Sequence, residues 1–378
     1  MEIAFAPSAR STVGIEWELA LVDADSGDLR QVATTVLDAV RPAGAESHPN
    51  VHPELLLNTI EVVSGVARTV REAGDDLERT IAELREVCEP LRVDLMCAGT
   101  HPFARYDYQR VTNKERYSTL IDRTQWWGRQ MVIYGVHVHV GIEERRKALP
   151  ILRAMLSYFP HLQSLSASSP FWSGRDTGYA SNRALLFQQL PTAGLPQVFD
   201  EWEQLEGYVR DMTHTGVIDH FNEIRWDIRP APHLGTLEMR VFDGASNLTE
   251  VLALAALTHC LVEHFSTMLD EGRELPRMPS WFLHENKWRS ARYGMDAIVI
   301  LDAHGNEQLV TESLAELLPV LEPVAERLGC LEELDGVRTI MRRGASYQRQ
   351  RRVARRNDGD LDAVVAALVA ELKAGRPL

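Results

Sequence analysis

The sequence lacks both a cysteine framework and a long uncharged apolar run. Its four cysteines are widely spaced and form no CxxC pair, which excludes a disulfide scaffold and predicts reduced, mostly structural thiols. No apolar stretch reaches the ~18 residues of a membrane span, since Val251–Val262 is shorter and ends before Glu263. Residues 1–10 show no basic segment followed by an apolar one. We therefore expect a cytoplasmic protein with no membrane segment.

Basic residues are also fewer than acidic ones. The 378 residues include 40 Lys and Arg against 54 Asp and Glu, giving a net charge of −14. Nonspecific nucleic-acid binding needs a basic footprint, and so does docking on an anionic membrane. Both are therefore excluded as expected partners, although this sum does not show where the acidic residues gather.

Three common catalytic motifs are absent as well. There is no GxxxxGK[ST] loop, no GxGxxG after a strand, and no Gly-x-Ser-x-Gly elbow. A nucleotide, if one binds, must therefore use another architecture.

The order of elements favours an α+β protein with a mainly antiparallel sheet over a doubly wound parallel fold, because strands adjoin and helices are appended. The spacing predicts strands at Thr12–Val22, Met131–Ile142, Glu223–Arg229 and Thr236–Phe242. It predicts long helices at Arg68–Leu91 and Leu248–Asp270, and a helix at Glu115–Gln130. We expect one catalytic domain over residues 1–378, whose helical C-terminal part covers about residues 311–378.

Four predicted strands each carry one apolar and one ionisable face, since residues two apart share a face. The ionisable sets are Glu16 with Glu18, His137 with His139, Glu238 with Arg240, and Arg225 with Asp227 and Arg229. The ordinary interpretation is a sheet with one solvated side. However, these are metal and phosphate ligands rather than the Lys, Ser and Thr of a solvated face. Their recurrence favours an active-site surface.

The chemistry of such a surface is specific. Carboxylates with an occasional imidazole suit Mg²⁺ or Mn²⁺, and arginines recognise phosphate or carboxylate. Together they indicate phosphoryl transfer onto a carboxylate. The alternative is a zinc hydrolase built on His137 and His139, but no third His or Cys ligand has an evident place nearby.

Eight short motifs are spread along the chain, namely Gly14–Glu18, Glu54 with Glu61, Tyr134–Gly141, Ser168–Gly178, Pro191–Pro196, Trp226–Pro230, Gly235–Arg240 and Asn286–Gly294. Together they resemble the bacterial glutamate–cysteine ligase type 2 family, in particular its YbdK-type carboxylate–amine ligases. The similarity runs from about residue 11 to about residue 355.

The resemblance implies a glutamine-synthetase-like catalytic fold, in which a curved antiparallel sheet forms a funnel with helices outside. It also implies ATP, Mg²⁺ or Mn²⁺, an acyl-phosphate intermediate and attack by an amine. The expected products are γ-glutamyl amides, with cysteine or another amine as nucleophile. A noncatalytic nucleotide-binding relative is a further alternative. Base rates favour a homodimer.

The resemblance also implies roles for particular residues. Metal ligands are expected at Glu16, Glu18, Glu54, Glu61, His139 and Glu238. Catalytic groups are expected at Arg229, Arg240 and Glu61, and ATP contacts at Arg183, Arg289 and Arg292. The ordinary alternative for the arginines is pairing with acidic or packing neighbours.

Four positions stay open. His137 is either a ligand or a hydrogen-bonded structural histidine. Glu54 and Glu61 stand seven residues apart, which fits neither one strand face nor a simple turn. Tyr347 stands where the family pattern has Arg, so that Arg349 or Arg351 becomes the candidate substitute.

Overall fold

A computed structural model describes residues 2–378 and shows strands and helices in mixed order. The strands are β1 Val13–Asp23, β2 Val51–Pro53, β3 Thr59–Val63, β4 Val93–Met96, β5 Gly135–Gly141, β6 Phe171–Trp172, β7 Arg175–Asp176, β8 Ile228–Ala231, β9 Thr236–Asp243, β10 Ile298–Ile300 and β11 Glu307–Leu309. The helices are α1 Ala33–Val40, α2 Val70–Cys88, α3 Glu115–Thr124, α4 Trp126–Arg129, α5 Arg145–Ser157, α6 Phe159–Ser166, α7 Arg183–Phe187, α8 Trp202–His214, α9 Leu248–Asp270, α10 Ser280–Tyr293, α11 Val310–Leu328, α12 Leu331–Arg343, α13 Ser346–Arg356 and α14 Asp362–Ala374.

Seven of the strands form one open antiparallel sheet in the order β2–β3–β1–β5–β9–β8, with β4 also paired to β1. Strand β1 is central, because β5 lies along one edge while β3 and then β4 share the other. The α+β class and the mainly antiparallel sheet predicted from the sequence are confirmed.

Alternation along the strands gives the sheet two different faces. Ile15, Trp17 and Leu19 on β1 are fully buried on one face and belong to the main hydrophobic core. The glutamates between them are only half-buried and point to the other face. Burying the apolar face against helices therefore presents the ionisable face as a single surface.

Helix α9 forms the centre of the helical layer and packs against α2, α5, α11 and α12. It is the one helix among residues 2–378 long and apolar enough to cross a membrane, but most of it is buried inside the protein. Its neighbours approach closely: a Cβ on Gly336 would stand 2.8 Å from that of Ala253, and one on Gly74 2.9 Å from Leu252. The apolar run is therefore a core helix.

Two element predictions are wrong. The predicted strand Glu223–Arg229 begins only at Ile228, because residues 221–223 form a 3₁₀ turn and the chain bends before the strand. The segment predicted as one helix over residues 115–130 is broken by Gln125, whose φ is 49°. A left-handed residue cannot continue a right-handed helix.

Candidate active site

The site is centred on Glu16, which binds two histidines of the neighbouring strand. Strands β1 and β5 pair with Glu16 opposite His137. His137 Nδ1 lies 2.7 Å from Glu16 Oε2, and His139 Nε2 lies 3.1 Å from Glu16 Oε1. His139 also contacts the Thr236 hydroxyl through Nδ1 at 2.9 Å. Both imidazoles are thereby oriented by one carboxylate.

Glu238 on β9 is held between two arginines. Arg229 Nε donates to Glu238 Oε2 at 2.6 Å, and Arg240 Nη1 donates to Glu238 Oε1. Glu238 is almost fully buried, whereas both guanidinium groups retain some exposure. The pairing with an acidic neighbour that was the alternative for these arginines is thus present. Arg229 Nη1 also donates to the Asn222 and Ile224 carbonyls.

A third group of carboxylates has no such compensation. Glu18 lies opposite Glu61 in the β1–β3 register, and Glu61 lies opposite His52 in the β2–β3 register. Glu54 follows β2 directly, two residues beyond His52, and so returns to the same face as Glu61. The two strands β2 and β3 therefore bring Glu54 and Glu61 together. The seven-residue spacing of Glu54 and Glu61 is therefore the spacing of two residues on neighbouring antiparallel strands.

These five carboxylates (Glu16, Glu18, Glu54, Glu61 and Glu238) are called the carboxylate basin below. Their environments separate them into two classes. Burial opposes ionisation of Glu16, but the hydrogen bonds from His137 and His139 outweigh it and lower its pKa well below the usual range. Burial likewise opposes ionisation of Glu238, and the charges of Arg240 and Arg229 hold its pKa low.

The other three carboxylates behave oppositely. Burial and the charge of Glu54 raise the pKa of Glu18 to about 7. The same two causes raise the pKa of Glu61 well above its usual range, and burial raises that of Glu54. Near neutral pH, this half of the basin therefore favours either protons or an added cation.

The donor set fits a hard divalent cation. Ligand atoms of Glu16, His139 and Glu238 lie within 4.8 Å of one another, in the one cluster of three such residues among residues 2–378. Carboxylates with one imidazole are ligands that Mg²⁺ and Mn²⁺ accept. The short distances favour Glu16, His139 and Glu238 as cation ligands. The charge balance instead favours Glu18, Glu54 and Glu61, because Glu238 already has two arginine partners.

Arg183, predicted as an ATP contact, lies at the floor of the basin. It opens α7, is buried, and its charge lowers the pKa of Glu18 against the effect of burial. Arg183 and Arg240 both stand over the ring of Phe187, at 5.6 and 5.9 Å. The buried Nε of each arginine has no hydrogen-bond partner. Such unpaired donors suit an anionic ligand.

Arg289 and Arg292 are not brought to the basin by any contact in the structure. Arg289 pairs with Glu285 and Glu307 on the outside of α10. Arg292 donates to the Gly178 carbonyl and stands over aromatic rings. Their predicted role in ATP binding therefore has no geometric support.

The expected alternation on β8 is wrong in part, because Arg225 and Asp227 precede the strand. Arg225 donates to the Glu223 carbonyl. The Asp227 carboxylate instead accepts a hydrogen bond of 2.6 Å from the buried ammonium group of Lys287. Only Arg229 of the three joins the basin contacts.

Tyr347 is a structural residue in this fold. Its hydroxyl accepts from the Met295 amide and donates to the Tyr293 carbonyl, both at 3.1 Å. Arg349 is committed to Glu250 and Glu371 in a buried cluster. Arg351 pairs with Asp176, outside the basin contacts, so neither arginine takes the missing position.

Three residues near the basin escaped the sequence-based reasoning, namely Lys114, Arg116 and Tyr117 at the start of α3. Tyr117 Oη donates to the Pro53 carbonyl at 3.2 Å, one residue before Glu54. No strand alternation or motif marks them, because a loop contact brings them to the site. Trp126 and Trp127, which follow on α4, are 55% and 40% exposed.

Comparisons with known proteins find similarity over nearly the whole chain. The model of the family described as glutamate–cysteine ligase family 2 matches residues 12–367. A relative from Paenarthrobacter aurescens (strain TC1), which carries the provisional name glutamate–cysteine ligase 2-2, is 60% identical over 99% of both chains. The similarity therefore covers the whole basin.

Solved structures extend the likeness to the fold. A bifunctional glutathione synthetase from Pasteurella multocida matches 96% of this chain at a TM-score of 0.65 and 16% identity. This chain spans about half, 51%, of that protein. A glutamate–cysteine ligase from Francisella tularensis, solved with AMP, covers 98% of this chain and 94% of its own at a TM-score of 0.58 and 13% identity. At these identities the fold alone is shared, and the expected ligase fold is confirmed.

Proposed function

The chain belongs to the glutamate–cysteine ligase family 2, and on that premise we propose that it joins the γ-carboxylate of glutamate to an amine. As a member of this family it is an ATP-dependent carboxylate–amine ligase. Neither the metal-dependent hydrolase nor the noncatalytic relative is favoured, and both histidines of the HxH strand turn to Glu16. The choice of glutamate is supported by the names of the relatives, and cysteine is the first amine to test.

The observation that carries the proposal is the division of the basin. Glu16 and Glu238 are each hydrogen-bonded by two side chains, which hold their pKa values low. For Glu18, Glu54 and Glu61 burial outweighs the nearby arginine charges and raises the pKa. A site for ATP has to gather positive charge beside carboxylates, and divalent cations satisfy that requirement. We therefore propose that Mg²⁺ or Mn²⁺ is held by the six ligands expected from the sequence. When bound, the cation supplies charge that neutralises phosphate oxygens.

The residues of the chain would act by positioning and electrostatics. Arg229 and Arg240 keep Glu238 ionised and present their remaining N–H groups to the phosphoryl group in transfer. The unpaired Nε atoms of Arg183 and Arg240 provide further donors for an anion. His137 orients Glu16 through its Nδ1–H, which favours the hydrogen-bonding role over that of a ligand.

The reaction proposed is balanced in two steps. The γ-carboxylate oxygen attacks the terminal phosphorus of ATP and ADP leaves, which gives an acyl phosphate. The amine then attacks the acyl carbon, inorganic phosphate leaves, and the amine proton passes to solvent or a basin carboxylate. Glu61 is our candidate for that proton acceptor, through a carboxylate oxygen that does not bind the cation.

We extend the proposal to the organisation of the protein. One hydrophobic core includes residues from Ile3 to Leu372, and α14 packs on β4, which supports a single catalytic domain over residues 1–378. The helical part at about 311–378 is then part of that domain. A cytoplasmic location and a homodimer complete the proposal, and sedimentation of the purified chain would test the dimer.

Phosphate release from Mg²⁺–ATP tests the function. The purified chain is incubated with a matrix of amino acids, each offered as acid and as amine, and products are identified by mass. We expect ADP and phosphate in equal amounts with an amide product containing glutamate. ATP turnover that never depends on an amine, or no turnover with any pair, would contradict the proposed ligase.

A further inference from the structure

Two cations stand at the rim of the basin beside Glu54. The guanidinium carbon of Arg116 lies 4.5 Å from the ring centroid of Tyr117, and the ammonium of Lys114 lies 6.0 Å from the same ring. Arg116 also donates to the Tyr117 hydroxyl. The tyrosine therefore serves as a platform that holds both charges.

This platform is fixed to the strand that carries the basin. The Tyr117 hydroxyl donates to the Pro53 carbonyl at 3.2 Å. Thr112 donates to the Glu54 carbonyl through Oγ1 at 2.6 Å and to the Leu55 carbonyl through its amide at 2.9 Å. Two anchors on either side of Glu54 thus position the rim.

The two cations are uncommitted, unlike Arg229 and Arg240. Neither Lys114 nor Arg116 forms an ion pair with a carboxylate of residues 2–378, and both are exposed residues. The charges of Glu54 and Glu61 act on Arg116, and that of Glu54 acts on Lys114, across a gap. Arg229 and Arg240, by contrast, are already bound to Glu238.

We propose that Lys114 and Arg116 form an anion-binding rim that grips an anionic group of a substrate over Glu54 and Glu61. The inference rests on the proposed function, because divalent cations on these glutamates would leave the rim with excess positive charge. An anion bound between the metal and the rim would then interact favourably with the positive charge of each. Its chemistry is shared by the phosphates of ATP and the carboxylates of the amino-acid substrate.

The test compares Arg116→Gln and Lys114→Gln with the wild type. Calorimetry with Mg²⁺ measures the Kd of a nonhydrolysable ATP analogue and, separately, of glutamate, while steady-state rates give the two KM values. Loss of one charge-assisted contact is expected to raise Kd and KM of one ligand roughly 10- to 100-fold. Weakening of the ATP analogue identifies phosphate as the bound anion, and weakening of glutamate identifies carboxylate.

Arg116→Lys is expected to recover part of the affinity, since it keeps the charge and loses the planar fork. Arg105→Gln is the matched control, because Arg105 also stands over a tyrosine, at 5.0 Å from the Tyr108 centroid, but is paired with Asp107. The control is expected to leave both ligands unaffected. Circular dichroism verifies that each variant is folded.

If Kd and KM for both ligands are unchanged in folded Arg116→Gln and Lys114→Gln, the proposed anion-binding role of the rim is refuted. This conclusion does not depend on which reaction the wild type catalyses. Equal weakening in Arg105→Gln would also refute that role, because it would show a general charge effect. If the wild type binds both probes but shows no amine-dependent turnover, the proposed ligase function is contradicted. The binding comparison between the wild type and the variants then still tests the anion-binding rim. Wild type that binds neither probe overturns both.

Discussion

Glu18 on β1 lies directly opposite Glu61 on β3, so two carboxylates occupy one cross-strand position of the sheet. Like charges placed opposite each other destabilise a sheet, and here burial adds to the cost. Glu54 brings a third carboxylate to the same face. We propose that a ligand of positive charge relieves this repulsion when it binds.

The first prediction concerns pH. The pKa of Glu18 is raised to about 7, above its ordinary value, so the folded chain keeps a proton that the unfolded chain has released. Its contribution to stability is therefore present at low pH and lost as pH rises through about 7. In a chelator, Tm of the wild type is expected to fall relative to Glu18→Gln by a few degrees between about pH 5 and pH 7, the range between the unfolded and folded pKa of Glu18.

Mg²⁺ is expected to raise Tm of the wild type at pH 8 and to leave Glu18→Gln little changed, because the variant offers less charge to the cation. The exposed Glu78→Gln on α2 serves as the control and is expected to follow the wild type. Parallel pH curves for wild type and Glu18→Gln would show that Glu18 titrates normally.

A second prediction concerns Glu16, which orients two histidines and belongs to the closest ligand cluster. Glu16→Gln removes its charge and retains its shape. Metal-dependent ATP turnover is expected to fall at least about 100-fold, with circular dichroism unchanged. Turnover like that of the wild type would refute its assigned role, and Glu78→Gln is again the matched control.

A third prediction separates a buried ion pair from exposed ones on the same helix. Asp227→Asn leaves the buried ammonium of Lys287 without a counter-charge, and the free energy of unfolding is expected to fall by about 3 kcal/mol. Arg289→Gln breaks exposed pairs and is expected to cost only about 0–1 kcal/mol. Urea denaturation measures both, and equal losses would contradict the distinction.

A fourth prediction concerns Tyr347. Tyr347→Phe leaves the buried Met295 amide without its acceptor and is expected to lower the free energy of unfolding by about 1–3 kcal/mol. Because its contacts are structural, KM for every substrate is expected to stay at the wild-type value. A large change in KM with little change in stability would instead place Tyr347 in the substrate site.

Much of the fold could be predicted from the sequence. The alternation in β1, β5 and β9 and the apolar length of α9 are local patterns, and the structure confirms them, with Leu248–Asp270 matching in both bounds. The strand predicted at Glu223–Arg229 fails because its alternating residues precede the strand in a bend held by Thr192, a contact between distant segments. Periodicity carries no signal for such a contact.

The same limit applies to the site. Strand alternation brought out Glu16, Glu18, His139 and Glu238, since each lies on a paired strand. It could not explain how Glu54 joins Glu61, which depends on the β2–β3 pairing. Nor could it find Arg116, which reaches the basin through one tyrosine. Their assigned roles stay predictions until the variants above are measured.

The central place of β1 also bears on how this chain folds. Glu16 and His137 are 121 residues apart in sequence, yet they bind each other across adjacent strands. Closing so long a loop is entropically costly, and sheets of distant strands form slowly. The β1–β5 pairing is thus expected late on the folding path, after α2 and the β2–β3 hairpin. Nascent chains on the ribosome would carry Glu16 and Glu18 long before their histidine partners are synthesised.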